Sequence, residues 1–193
     1  NYPENEESIR ASSDKYKALY DVLEQNFQKK PIDAMTVNEL LRIYEDTVSY
    51  MPLSTATNQA NDISLYMHSK ITAAVAHCMV HYFEGQGIDD YKTYCYQKSQ
   101  EFRNMPSFKL ISGDISGIQN FIYTIPSKGA LKSLRGRSFY LEILMEQIVD
   151  ELLEALQLTR ANLIYNGGGH FYVLAPNTTA TDDTIESMEQ SIN

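Results

Sequence analysis

The stretch "RANLIYNGGGHFYVLAPNT", residues 160–178, constrains the fold more than any other part of the chain. Two short apolar runs, "ANLIY" and "HFYVLA", flank three consecutive glycines, the pattern of two strands joined by a tight hairpin turn. Ahead of them lies "LKSLRGRSFYLEILMEQIVDELLEAL", a long helix whose Leu134, Leu141, Met145, Ile148 and Leu152 form one stripe. Before that helix "FKLISGDI" reads as a strand, and after the hairpin "TDDTIESMEQSIN" begins another helix. The order is strand, helix, strand, strand, helix, the first five elements of a split βαβ ferredoxin-like unit. The second helix needs a returning strand to complete its crossover, so the domain reads as an incomplete βαββα unit whose final strand is absent.

The preceding residues read as helical. From Asp14 to Gln28, residues Tyr16, Leu19, Tyr20, Leu23 and Phe27 follow one-face helical spacing, and Lys30 and Pro31 close the segment. Thr36 and Glu39 have capping-box spacing at the start of a second helix that continues through Val48 to a stop at Pro52. A third helix runs from about Asp62 to Phe83, with Asp62 or Ser64 as its cap and Gly85 and Gly87 as terminators. The Tyr-rich stretch from there to about Met105 reads as helical too. The fold class is α+β, with a helical region over residues 1–105 and the incomplete α/β domain over 107–193.

Composition narrows the function classes. A formal net charge of −9 opposes general binding to nucleic-acid backbones, because the summed field repels phosphate. Within "SKGALKSLRGRS", however, Lys128, Lys132, Arg135 and Arg137 occur with no acid among them. The island reads either as the solvated start of a helix or, since cations there are electrostatically unfavourable, as a seat for a bound anion or an acidic partner. No run reaches the ~18 apolar residues of a membrane span, and "NYPENEESIR" has no signal-peptide blocks, so the expectation is a cytoplasmic protein without a membrane partner. The two cysteines, Cys78 and Cys95, read as reduced, buried thiols.

In a ferredoxin-like unit the first and third strands are central neighbours. The segment Gly113 to Gly117 therefore lies near the hairpin turn, Asn166 to His170. Two glycine-rich segments then converge, and a short helix starting at Ser116 would point its positive end at an anion. The plainer reading is that Asp114 or Ser116 caps a helix and the glycines make a turn. Palm polymerases and nucleotidyl cyclases place metal-binding acids at both positions, but here the hairpin carries glycine and His170. Asp114 alone cannot assemble a two-metal site. Asp114, Ser116 and His170 also supply the three residue types of a hydrolytic triad, but Ile115 occupies the place where a nucleophile elbow needs glycine. His77 and His81 have the four-residue spacing of a chelating pair, lack the glutamate of a zinc protease motif, and read as core or interface residues. His68 falls about half a turn out of phase with them.

The segments "SGDISGIQNFIY", "ALKSLRGRSFYLEILMEQIVDELLEAL" and "RANLIYNGGGHFYVLAPNT", with "DISLYMHSKITAAVAHCMVHYF" before them, resemble the large subunit of type III CRISPR effector complexes, the Csm kind. The resemblance covers most of residues 61–178. It implies that residues 107–193 are the first of two palm domains and that the helical part links it to an upstream nuclease domain that cuts single-stranded DNA. It also implies ATP as substrate, cyclic oligoadenylates as product, and magnesium or manganese held by the second palm. Partners so implied are the other effector subunits, the guide and target RNA, and that second palm. By the family pattern Asp114, Ser116, Gly117, Gly167, Gly168, Gly169 and His170 line a nucleotide pocket, while Lys132, Arg135 and Arg137 face triphosphate or a partner. A nuclease dyad, a four-cysteine module and a Gly-Gly-Asp-Asp motif are not in these residues. The resemblance therefore implies a fragment that is inactive alone, and it leaves open a mainly structural docking role.

Overall fold

A computed structural model describes residues 13–54, 63–124 and 130–192. The chain divides into two compact units, residues 1–72 and 73–193. In the first, α1 (Ser13–Lys29) and α2 (Val37–Val48) are joined through a short 3-10 turn at Ile32–Ala34. The capping box at Thr36 forms in both directions. The Glu39 amide donates to Thr36 Oγ1 at 3.2 Å, and the Thr36 amide donates to Glu39 Oε2 at 2.8 Å. Lys30 adds an ion pair to Glu39 at 2.6 Å, and its hydrogen bond, with that of the Thr36 amide, holds the Glu39 carboxyl down at about 2. Helix α3 (Leu65–Gly85) starts beyond Ser64, whose hydroxyl accepts from the Met67 amide at 3.5 Å, while the alternative cap, Asp62, lies outside the described residues.

The stretch after α3 is helical, as expected, but in pieces and not in one regular α-helix. The pieces include a π-helical turn at Thr93–Gln97 and α4 (Ser99–Arg103). Asp90 accepts from both the backbone and the hydroxyl of Thr93, which ties down the start of the wide turn. Tyr91 and Tyr94 pack their rings 5.5 and 5.8 Å from Phe83, so this aromatic segment builds a small core with Tyr82 and Phe102. Cys95, expected to be buried, is exposed on that turn.

The sheet consists of β1 (Phe108–Asp114), β2 (Leu163–Gly167) and β3 (His170–Pro176) in the order β1-β3-β2, with both pairs antiparallel. Between β1 and β2 run the short α5 (Ile118–Tyr123) and the long α6 (Ala130–Ala155), and α7 (Thr179–Ile192) follows β3. This is the α+β arrangement expected of a ferredoxin-like order. Of the predicted α6 stripe, Met145 and Leu152 are buried, in one core with Val149, Leu153 and Leu156 of α6 and Leu163, Phe171, Val173 and Ala175 of the sheet; Ile148 packs against that core, and Leu134 and Leu141 are half-buried outside it. Alternate residues of β3 point the other way, so His170 and Tyr172 lie on an uncovered face beside Ser112 and Asp114 of β1. No helix among the described residues is long and apolar enough to cross a membrane.

Candidate functional site

The site begins with the hairpin turn. Gly167 pairs with His170 across a two-residue loop in which Gly168 and Gly169 have φ of 62° and 87°. A loop with positive φ at both central positions matches the twist of the flanking strands and favours glycine at each. Gly169 meets a second demand, since a Cβ there would stand 1.9 Å from Ile118 Cδ1 of α5. Gly113 on β1 is equally constrained, because a Cβ would stand 2.2 Å from the ring of Phe171. The glycines therefore let the hairpin, β1 and α5 close on one another.

The predicted convergence of the two glycine-rich segments is present. Asp114 is the register partner of His170, and the Ile115 amide donates to the Gly169 carbonyl at 3.0 Å. His170 Nδ1 lies 3.0 Å from Asp114 Oδ1, with both side chains 56% exposed. The contact is an ion pair only with a protonated ring, and both groups stand open to solvent at the end of the sheet. Ser116 is exposed and makes no hydrogen bond among the described residues, so the three residue types do not assemble into a triad.

The helix expected to start at Ser116 starts at Ile118. Gly117, with φ of 78°, is its N-terminal flank, and no side chain caps it. Neither Asp114 nor Ser116 is a cap, because the left-handed glycine turns the chain away before the first helical amides. At six residues, α5 also offers only a short stack of aligned peptide dipoles.

The cations divide. Lys132 and Arg135 are exposed and make no ion pair among the described residues. Arg137 is half-buried, and its Nη1 donates to the carbonyls of Phe121 and, at 3.1 Å, of Thr124, with the guanidinium 5.2 Å from the Phe121 ring. The anionic partner demanded by a cation early in α6 is thus supplied, for Arg137, by the carbonyl end of α5. Lys128 lies outside the described residues.

Beside the hairpin, α5 and α6 line a cleft of about 740 Å³. Its apolar lining includes Ile118, Ile122, Phe139 and Ile143, and its polar wall carries Glu142, Glu146 and Asp150. Arg160 bridges Glu146 and Asp150 at 2.6 Å each, and Asn166 donates to Glu146 at 2.8 Å, so those two acids anchor the hairpin to α6. Gly167, Gly168 and Gly169 line this cleft too, while Asp114, His170 and Tyr172 are exposed on the sheet face at the same end.

A separate polar cluster lies in the interior. Asn162, fully buried, donates through Nδ2 to the Leu174 carbonyl at 2.9 Å and to Cys78 Sγ at 3.3 Å. With its amide so oriented, Oδ1 accepts from His77 Nδ1 at 3.3 Å, and His77 Nε2 lies 3.1 Å from His81 Nε2. Burial holds His77 below its ordinary range and pushes Cys78 up to about 11. The two histidines, read beforehand as core or interface residues despite their chelating spacing, are half-buried, with His77 bonded to Asn162, while His68 is exposed. Sequence reasoning passed over Asn162 because a single amide ahead of a strand carries no motif. Tyr172 was legible as the alternation of "HFYVLA".

Residues 107–193 match the family model described as Csm1 subunit domain B. The chain is 42% identical over 185 residues to a protein of Mycobacterium tuberculosis named CRISPR system single-strand-specific deoxyribonuclease Cas10/Csm1 (subtype III-A), covering 96% of this chain and 23% of that protein. A protein of the same name from Enterococcus italicus is 44% identical over 182 residues, covering 92% and 24%. Among solved structures, a Csm1-Csm4 cassette in complex with pppApA superposes with a TM-score of 0.75 at 35% identity, over 92% of this chain and 23% of that one. A cassette in complex with AMPPNP gives 0.73 at 35% identity, over 92% and 22%. The chain spans about a quarter of the length of the curated relatives it matches.

Proposed function

Because the chain belongs to the Csm1 family of large subunits of type III CRISPR effector complexes, we propose that residues 107–193 form one wall of an ATP site in a subunit that joins ATP into cyclic oligoadenylates. The observation that carries this reading is the Asp114–His170 pair, which fastens the end of β1 to the glycine hairpin on an open sheet face. Relatives crystallised with pppApA, AMPPNP and cA3 supply the ligand class. Ser116, Gly117 and Gly167 to Gly169 approach the nucleotide through backbone and hydroxyl groups, and exposed Lys132 and Arg135 face its triphosphate or a neighbouring subunit.

The reaction is attack of one ATP's 3′-hydroxyl on the α-phosphate of another, with pyrophosphate leaving. The donor set here does not fit the paired metal ions such chemistry uses. Among the described residues of β1 and the hairpin strands Asp114 is the one carboxylate, its Oδ1 faces His170, and the turn itself is glycine. No step is therefore assigned to a metal on this chain. The ions fall to the acids of a second palm, and the deoxyribonuclease activity in the relatives' name falls to sequence outside these residues. On its own, this stretch orients a nucleotide without transforming it.

The test is ATP titration and product analysis of the full-length subunit in its complex, carrying Asp114→Ala or Ser116→Ala. Each is expected to weaken ATP affinity by about tenfold, the scale of one lost polar contact. Unchanged affinity and unchanged cyclic product would remove these residues from the site. A second reading, a docking surface for another effector subunit and guide RNA, rests on Lys132 and Arg135 being exposed and on a relative solved as a Csm1-Csm4 subcomplex. Reversing Lys132 and Arg135 to Glu separates the two, since loss of assembly with ATP binding intact favours docking.

A further inference from the structure

We infer that Arg137 is a positioning residue that sets the nucleotide-facing segment Ile115–Gly117 by bracing α5 against α6, an inference that rests on the nucleotide reading above. The segment is suspended between two anchors. On its N-terminal side β1 is held by the β3 register and by the Ile115 amide on the Gly169 carbonyl. On its C-terminal side the chain enters α5 directly, and α5 is too short to hold itself in water.

Among the described residues α5 is held by three contacts, one of them the Phe121 ring 6.1 Å from that of Tyr140 in α6. The first residue of α5, Ile118, fills the space over Gly169 that any side chain at that position would occupy. At the last turn of α5 Arg137 donates to the carbonyls of Phe121 and Thr124 while its guanidinium lies over the Phe121 ring. Both bonds run from Nη1 while the planar guanidinium lies over the ring, whereas a lysine ammonium can donate to carbonyls but has no flat face to stack there. The positive charge also stands at the negative end of the helix. Arg137 is thus committed to the protein's own backbone, and Lys132 and Arg135 are the cations left to face outward.

The experiment compares Arg137→Ala and Arg137→Lys in the full-length subunit within its complex, by hydrogen exchange of the peptide spanning residues 118–124 and by ATP KM and kcat. The expected result is faster exchange and an ATP KM raised about tenfold in both variants, with kcat little changed, because the loss is of geometry and not of charge. A Lys variant that restores the wild-type KM would make Arg137 a direct charge contact and overturn the inference. Unchanged exchange in both variants would overturn it too. Faster exchange with an unmoved KM would leave α5 braced and strip Arg137 of its positioning role. If Asp114→Ala is also silent toward ATP, the nucleotide reading itself has failed. Because the Lys variant keeps the charge and most of the side-chain volume, it guards against loss of folding in the Ala variant.

Discussion

The helical pair α1–α2 and the sheet unit are held by different kinds of force. Helix α1 buries no residue, and its stripe of Tyr16, Leu19, Leu23 and Phe27 is only half covered, while Tyr20 is 62% exposed. What defines that region is local: a two-way capping box and an ion pair between residues nine apart. In the sheet unit Val149 and Val173 are fully buried, with Leu152 and Phe171 nearly so, and the contacts join residues far apart in the chain. Burial at about 25 cal/mol per Å² of apolar surface makes the second kind of structure robust, whereas caps contribute about 1 kcal/mol each. A site that must hold Asp114 against His170 stands on the robust kind.

The widest gap is expected between core substitutions. Leu152→Ala should lower unfolding stability by about 2–5 kcal/mol, and Leu23→Ala in α1 by less than about 1, as read from urea midpoints of this chain. Equal losses would erase the contrast. Asn162→Ala comes next, at about 1–3 kcal/mol, since it removes the acceptor of His77 Nδ1 and leaves the Leu174 carbonyl only the weaker Cys78 thiol. A loss no larger than that of an exposed residue would show the interior polar cluster to be replaceable.

Acid separates the regions with smaller effects. Folded His77 resists protonation, so below its ordinary value of 6.5 the unfolded chain binds more protons and the sheet unit loses stability as pH falls toward the depressed native value. Glu39 works in a lower window. Its folded value of about 2 lies below the ordinary 4.5, so its contribution is present above 4.5 and is lost as pH falls toward 2. Near pH 5.5, amide protection factors in the sheet unit, referred to the intrinsic rate at each pH, are therefore expected to fall before those at the α2 cap do. The reverse order would contradict the assignment of the two groups.

Much of this was readable beforehand. Thr36 and Glu39 declared a cap by spacing, the α6 stripe declared its buried face, and three glycines between strand-like runs declared the hairpin. The order of elements then placed Asp114 beside His170, because that order determines which strands are neighbours. The misses came where a residue's partner is distant or is backbone. Arg137 read as a ligand for an outside anion, since nothing in "LRGRS" announces that the carbonyls of α5 would meet it. The start of α5 was misplaced by two residues because Ser116 is a good cap by type, while the left-handed turn at Gly117 overrides it.

The sequence by itself determined the periodicities, the punctuation and hence the topology, because those depend on neighbours within a few residues along the chain. Only the tertiary structure decided that Arg137 spans 16 residues to grip Phe121, that Asn162 reaches 84 residues back to Cys78, and that Gly169 must stay bare beneath Ile118. Such contacts arise when packing brings remote segments to van der Waals or hydrogen-bond range, and their geometry is set by the close-packed whole. The candidate site belongs to both levels: its residue types were written in two short glycine-rich segments, and its shape was made by what those segments were packed against.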